Sequence, residues 1–147
     1  MLVSVIIRTL NEEKHLDELL ESVSVQKSDI FTVESVVVDS GSTDQTLAIA
    51  KAHSTRITYI DKEQFSFGRS LNIGCDYANG EILVFVSGHC IPENESWLHE
   101  LCLPIHQGSV KYTYGRQVGR DTTKFSEQQV FDKYFPVYSM VPQTGYF

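Results

Sequence analysis

Apolar residues fall along this chain in short, separated runs. LVSVII (residues 2–7), VESVVV (33–38), ITYI (57–60) and ILVFV (82–86) are rich in β-branched side chains, and each gives way to polar residues. Runs of that length and make-up read as buried strands. Between them the apolar spacing changes to that of helices. Glu12 to Val25 carries Leu16, Leu19, Leu20 and Val23 on one side, with Asn11 as N-cap and acids in the first turn. Ser42-Thr43-Asp44 opens a second helix through His53, with Leu47, Ile49 and Ala50 on its apolar side. A third pattern runs through Leu71, Ile73, Cys75 and Ala78 and stops at Asn79-Gly80. Beyond the last run, Trp97 to Ile105 predicts a helix, Val110 to Tyr114 a strand, and Phe125 to Phe135 a helix closed by Pro136.

Strand and helix alternate through the fourth strand. That order predicts an α/β fold with a Rossmann-like, mostly parallel sheet, helices on both faces and right-handed crossovers. At 147 residues, with no repeat, linker or low-complexity segment, the chain reads as one domain. It closes on Gly145-Tyr146-Phe147 without a terminal cap, so the expectation is a fold truncated at its C-terminus.

Composition narrows the function classes. The chain is 41% hydrophobic and 21% charged, as an ordinary soluble globular protein is. A formal net charge of −7 argues against a nucleic-acid binder, which shows a basic face. A site for a single nucleotide stays open, since it needs only local amides and one or two cations. No apolar run approaches the roughly 20 residues of a membrane span. The start, MLVSVIIRTLNEE, has no basic leader and places Arg8 and Asn11 directly behind its apolar run, so it reads as a first strand rather than a signal peptide. Cys75, Cys90 and Cys102 form an odd set without a CxxC pair, which points to a reduced, cytosolic setting. A zinc site from His89, Cys90, His99 and Cys102 is disfavoured, because adjacent His-Cys ligands are awkward and no paired-cysteine knuckle supports them. Cys90 reads instead as a small buried filler.

The chemistry collects where the strands end. The four ends carry Arg8-Thr9-Leu10-Asn11, then Asp39-Ser40-Gly41-Ser42-Thr43-Asp44, then Asp61 followed by Phe65 to Asn72, then Ser87-Gly88-His89. Open α/β sheets bind ligands at the carboxyl ends of their strands. Neither GxGxxG nor GxxxxGK[ST] is present, so dinucleotide and P-loop readings lack their fingerprint. In DSGSTD the plain reading is a helix cap at Ser42 or Thr43 with Gly41 making the turn. The sharper one concerns Asp39, which when ionised only accepts hydrogen bonds. An acceptor at a strand tip suits the N3–H of uracil or thymine and selects against cytosine, which has no proton there. Guanine, with N1–H and N2–H, meets the same acceptor.

SVIIRTLNEE, VVVDSGSTDQT and VFVSGH together resemble the family 2 glycosyltransferases of the GT-A fold. EQFSFGRSLNIG and YGRQVGRDTTKFSEQQVFDKYFP are similar to the bacterial rhamnosyltransferase-like branch, and the resemblance runs from residue 2 to about residue 142. It implies a nucleotide diphosphate-sugar, UDP- or dTDP-linked. The sugar would pass with inversion to a glycan or lipid-linked acceptor in bacterial polysaccharide biosynthesis. The protein would be cytoplasmic, at the inner face of the membrane without spanning it. By the same resemblance Thr9 and Asn11, with Glu13 close by, line the base and ribose pocket, Asp39 reads the base, and Ser42 and Asp44 shape the rim. Gly68 to Asn72 would lie near the diphosphate. The branch has an Arg directly before that Asn where this chain has Leu71, so Arg69 would supply the charge beside Asn72.

Ser87-Gly88-His89 stands where the family carries an Asp-x-Asp that holds Mn²⁺ or Mg²⁺ against the diphosphate. His89 would then be the metal ligand, with Ser87 on the ribose or on a metal-bound water. Alternatively, a protonated His89 meets the diphosphate with no metal, or His89 is a surface residue. The catalytic base, an Asp or Glu of the acceptor-binding half, is expected beyond residue 147. Asp121, Glu127 and Asp132 match a different family motif. A truncated domain would expose apolar surface at Phe135, Val137, Tyr138, Met140, Tyr146 and Phe147 and self-associate as a homo-oligomer, unless these residues pack on their own domain. Two other readings remain. One is a non-catalytic nucleotide-binding or interaction module that retains the fold. The other is a receiver- or flavodoxin-like domain, which lacks its phosphoacceptor acid cluster or flavin loop here.

Overall fold

The four apolar runs pair into one parallel sheet in a computed structural model that describes residues 1–119 and 123–135. The strands are β1 (Leu2–Thr9), β2 (Thr32–Asp39), β3 (Arg56–Tyr59) and β4 (Ile82–Ser87), in the order β3-β2-β1-β4. Three helices connect them: α1 (Leu16–Ser24), α2 (Thr46–Ala52) and α3 (Phe67–Tyr77). This is the expected α/β architecture, with β1 and the second half of β2 buried; contrary to the sequence reading, β3 and β4 are only partly covered, with Tyr59 and Phe85 exposed, because they lie at the edges of the sheet.

Side-chain parity along β1 sorts the core into two layers. Ser4, Ile6 and Arg8 face α3 and the turn that follows it. Gly74 of α3 lies so close that a Cβ there would come within 2.4 Å of Ile6 Cγ2, and one on Gly80 would come within 2.5 Å of the Ser4 nitrogen. Ile6, Val36, Val38 and Ile60 form the buried cluster of that face, with Ile73, Cys75, Ala78 and Leu83 packed against it. Val3, Val5 and Ile7, with no exposed surface, occupy the other row. Right-handed crossovers put α1 and α2 on that side, where α1 buries Leu16, Leu19, Leu20 and Val23.

The amino-terminal edge of the sheet is closed by Glu34. Its carboxylate accepts from the Ser4 hydroxyl and the Asn79 amide, both at 2.6 Å, and from Arg56 Nη1 at 3.3 Å. Burial by itself raises the Glu34 carboxyl, but these hydrogen bonds outweigh it and hold the group below the usual range. A cleft of about 510 Å³ opens at the same end, lined by Leu20, Phe31, Glu34, His53 and Arg56 among others. It lies away from the carboxyl ends of the strands, and among the described residues no buried side-chain polar atom is left unpaired there or elsewhere.

The chain forms two compact units, Met1–His99 and Glu100–Phe147. The second contains most of α4 (Trp97–His106), and α5 (Phe125–Tyr134). Both helices fall within a residue of their predicted bounds. The predicted strand at Val110–Tyr114 does not form. Its alternation is real, but a strand exists only where a neighbour takes its amides and carbonyls. Here the Thr113 hydroxyl instead donates to the Leu101 carbonyl at 2.8 Å, and Tyr112 and Tyr114 are exposed. Phe135 packs on its own unit, with ring centroids 6.4 Å from Tyr114 and 6.5 Å from Phe131. Asp121, Pro136, Val137, Tyr138, Met140, Tyr146 and Phe147 lie outside the described residues. Among the described residues no helix is long and apolar enough to cross a membrane.

Candidate functional site

Topology fixes where a crevice opens. From β1 the chain steps to β2 and β3 on one side, and it returns to pair β4 with the other side of β1. The connections therefore diverge between the carboxyl ends of β1 and β4, which is where open α/β sheets hold ligands.

On the β2 side of β1, two loops knit together around Asp39. Thr9 and Asp39 are register partners, and the Thr9 hydroxyl donates to Asp39 Oδ1 at 3.0 Å. The Ser42 hydroxyl donates to the same oxygen, and the amides of Gly41 and Ser42 donate to Oδ2 at 2.9 Å each. These four bonds fill the roughly four lone-pair sites of a carboxylate, and Asp39 is 1% exposed. Gly41 closes the turn at φ +96°, a conformation that suits glycine.

Beyond the hub the exchange continues. The Asn11 amide donates to Ser42 Oγ at 2.9 Å, and the Thr43 amide returns a bond to Asn11 Oδ1 at 2.8 Å. Amides of Glu12 and Glu13 donate to Thr46 Oγ1 and Asp44 Oδ2, at 2.8 and 3.1 Å, and the Gln45 amide donates to Glu13 Oε2 at 3.0 Å. Desolvation pulls the Asp44 carboxyl up, but bonds from the Thr46 hydroxyl and from the Thr46 and Glu13 amides outweigh it and leave the group lowered.

This knitting corrects both predicted helix starts. Asn11 does not cap α1: it sits at φ +56° with its side chain on the neighbouring loop, and α1 begins only at Leu16 behind His15. Ser42-Thr43-Asp44 does not open α2, which begins at Thr46 behind Gln45, because Ser42 and Asp44 are engaged with the β1 loop.

The β4 side of β1 is built differently. Arg8 and Ser87 are register partners, and Arg8 Nη2 donates to Ser87 Oγ at 3.2 Å. The same guanidinium lies 4.6 Å over the Phe67 ring. The Gly88 amide donates to the Arg8 carbonyl at 3.0 Å, and a Cβ on Gly88 would come within 2.8 Å of Glu12 Cγ. Glu12, its side chain 19% exposed, reaches across the divergence, with Oε1 2.9 Å from His89 Nδ1; the His89 side chain is 59% exposed. Cys90 is exposed rather than a buried filler, because the turn after β4, in which its amide donates to the Ser87 carbonyl, carries it outward. His99 is engaged by Ser28 at 3.0 Å, and burial pushes the Cys102 thiol up to about 11. Among the described residues no three His, Cys, Asp or Glu side chains are grouped to hold a metal.

The structure thus brings Thr9, Asn11, Glu13, Asp39 and Ser42 into one hydrogen-bonded network, with Ser87 and His89 joined to its β1 loop through Arg8 and Glu12. Arg69 and Asn72 stand apart from it on the exposed side of α3. Arg69 Nη1 donates to the Gln64 carbonyl at 3.2 Å. Arg8, Glu12 and Thr46 are the participants that sequence reasoning missed. Parity could have found Arg8, a charge at the last position of the Ser4–Ile6 row. Glu12 was hidden because it reads as the start of a helix.

The sequence profile described as Glycosyl transferase family 2 matches residues 4–143. Glycosyltransferase AglE of Haloferax volcanii is 34% identical over 124 residues, covering 76% of this chain and 40% of that protein. The poly(ribitol-phosphate) beta-N-acetylglucosaminyltransferase TarS of Staphylococcus aureus is 36% identical over 90 residues, covering 58% of this chain and 16% of TarS. Among solved structures, the S. aureus TarS crystal structure superposes with TM-score 0.60 at 29% identity, over 74% of this chain and 20% of that one. Glucosyl-3-phosphoglycerate synthase of Mycobacterium tuberculosis, in complex with Mn²⁺, UDP and glucosyl-3-phosphoglycerate, superposes with TM-score 0.59 at 28% identity, over 70% of this chain and 39% of that one. The chain therefore spans less than half the length of the relatives it matches here.

Proposed function

The chain belongs to glycosyl transferase family 2, and from that membership we propose that it binds a nucleoside diphosphate-sugar, UDP- or dTDP-linked, for transfer of the sugar with inversion to a glycan or lipid-linked acceptor. The observation that carries this reading is the convergence, at the divergence of β1 and β4, of an acceptor hub at Asp39 with the Arg8–Ser87 and Glu12–His89 pairs. Base and ribose belong on the β2 side, beside Thr9, Asn11, Glu13, Asp39 and Ser42; the diphosphate belongs on the β4 side, beside Ser87. Arg69 and Asn72 are kept as outer contacts of the diphosphate. The motif likeness to a bacterial rhamnosyltransferase-like, polysaccharide-building enzyme at the inner membrane face belongs to the same proposal.

Asp39 must exchange a partner to read a base. Its two amide donors are fixed by the turn, but the Thr9 and Ser42 hydroxyls can rotate and leave Oδ1 to an N3–H. A divalent ion fits the donor set on the other side: Glu12 offers carboxylate oxygen and His89 imidazole, a pair that Mn²⁺ accepts, with substrate phosphate completing the shell. When bound, such an ion supplies Lewis-acid neutralisation of the leaving diphosphate.

A second reading, a nucleotide-binding module without transfer, is favoured by one observation: Asp39 is already saturated by its own loops. Calorimetric titration with UDP, dTDP and GDP, each with and without Mn²⁺, tests the first reading. One diphosphate should bind, about tenfold more weakly in Asp39→Asn, the loss expected for one charge-assisted hydrogen bond. His89→Ala should remove the Mn²⁺ dependence. Absence of binding to all three would sink the proposal. Binding without hydrolysis of any UDP- or dTDP-sugar would transfer it to the second reading.

A further inference from the structure

One charge at the crevice has no counter-ion among the described residues. Arg8 is half-buried at the end of β1, held by the Ser87 hydroxyl at 3.2 Å and by the Phe67 ring at 4.6 Å, both neutral groups. Among the described residues the ion pairs are Lys27–Glu95, His53–Asp17, Arg56–Glu34 and His89–Glu12, and none includes Arg8. The acid closest to it in sequence, Glu12, is turned to His89. A guanidinium has five N–H donors in a planar fork, and only one of them has a partner among the described residues. Withdrawing a cation from water costs stability unless an anion joins it, and here the aromatic ring already shields one face. The chain as a whole is acidic, at −7, so a lone half-buried cation at the ligand-binding edge of the sheet is local chemistry rather than background charge.

We propose that Arg8 is the residue that pairs with the diphosphate of the bound nucleotide, the role that the family resemblance implies for Arg69. The assignment rests on the crevice being a nucleoside diphosphate-sugar site. The Arg69 guanidinium lies on the exposed side of α3, apart from the hydrogen-bonded network of the crevice, and donates to the Gln64 carbonyl. Arg8 instead lies against the Phe67 ring at the crevice and is held by Ser87, with donors left for two phosphate oxygens at once. Bidentate pairing of this kind is what a fork offers and an ammonium does not.

The test separates the phosphate from the base. The full 147-residue chain, as wild type, Arg8→Gln, Arg8→Lys and Asp39→Asn, is titrated with UDP by calorimetry and with uridine by ligand-observed NMR, and with dTDP and thymidine in parallel. Arg8→Gln should weaken the diphosphate at least tenfold and leave the nucleoside unchanged. Asp39→Asn should weaken both. Arg8→Lys should recover only part of the loss, because it restores charge without the fork. Wild-type affinity for UDP in Arg8→Gln, with Asp39→Asn still impaired, overturns the assignment and leaves the nucleotide site standing. Failure of the wild type to bind either diphosphate overturns both. Should Arg8→Gln not fold, Arg8→Lys decides: an unchanged ratio of UDP to uridine affinity overturns the role of Arg8.

Discussion

On the β2 side of β1, Asp39 accepts four hydrogen bonds from its own loops and is 1% exposed. On the β4 side, Arg8 is met by one hydroxyl and one ring, and the Glu12–His89 pair stands largely in water at its histidine end. The two seams share β1, yet among the described residues one is complete without a ligand and the other is not. The complete seam fixes the shape of the loops. The incomplete one holds charge ready for an anion. A binding site needs both, because an unsatisfied group attracts a ligand only if something else keeps it in place.

If that division is correct, damage on the two sides should look different. Asp39→Ala should be the most costly substitution for folding, about 3 kcal/mol, since it strands the Thr9 hydroxyl and two loop amides without an acceptor. Arg8→Gln should cost under about 0.5 kcal/mol and act on ligands instead. Urea denaturation of the two variants compares them directly, and equal losses would erase the distinction.

Gly88→Ala probes the incomplete seam alone. The added methyl meets Glu12 Cγ at 2.8 Å and the Arg8 carbonyl at 3.1 Å. It should cost about 1 kcal/mol by overpacking and push Glu12 off His89, which the His89 ring resonances would register. Unmoved resonances would mean that Gly88 does not set the pair.

The smallest effect concerns acid. Asp44 is lowered in the folded chain, so its contribution to stability is complete above the ordinary aspartate value of 3.8 and is lost as pH falls through the lower folded value. In Asp44→Asn the stability measured by denaturation should therefore fall less steeply below about pH 4 than in the wild type. Parallel pH profiles would show that the knitted loops do not depend on this carboxylate.

Much of the fold was legible because burial of parallel strands demands unbroken apolar runs, and Val36, Val37 and Val38 supply one with 0–1% exposure. The loops were not. Asn11, Ser42 and Asp44 have the chemistry of helix caps, and local pattern assigns them to the nearest helix. Their actual partners lie 31 or 32 residues away in sequence, a separation that no window of spacing detects. Val110 to Tyr114 failed for a related reason, since alternation describes a strand but not the partner it requires. At the site, Asp39 was legible as an acceptor at a strand tip, whereas Arg8 and Glu12 acquire meaning only once β4 is known to lie beside β1.

The parity of β1 makes the chain sensitive to length in a way that it is not to substitution. Ser4, Ile6 and Arg8 meet Gly80, Gly74 and Phe67, while Thr9, one step out of phase, meets Asp39. Inserting or deleting a single residue within β1 would exchange the rows. A deletion would turn the guanidinium to the opposite face and bring a threonine to Phe67, an insertion would bring Ile7 there, and either would set Ile6 away from the notch that Gly74 leaves for it. Hydrophobic core and ligand chemistry are written on alternate letters of one word, so a frame error of one residue erases both together.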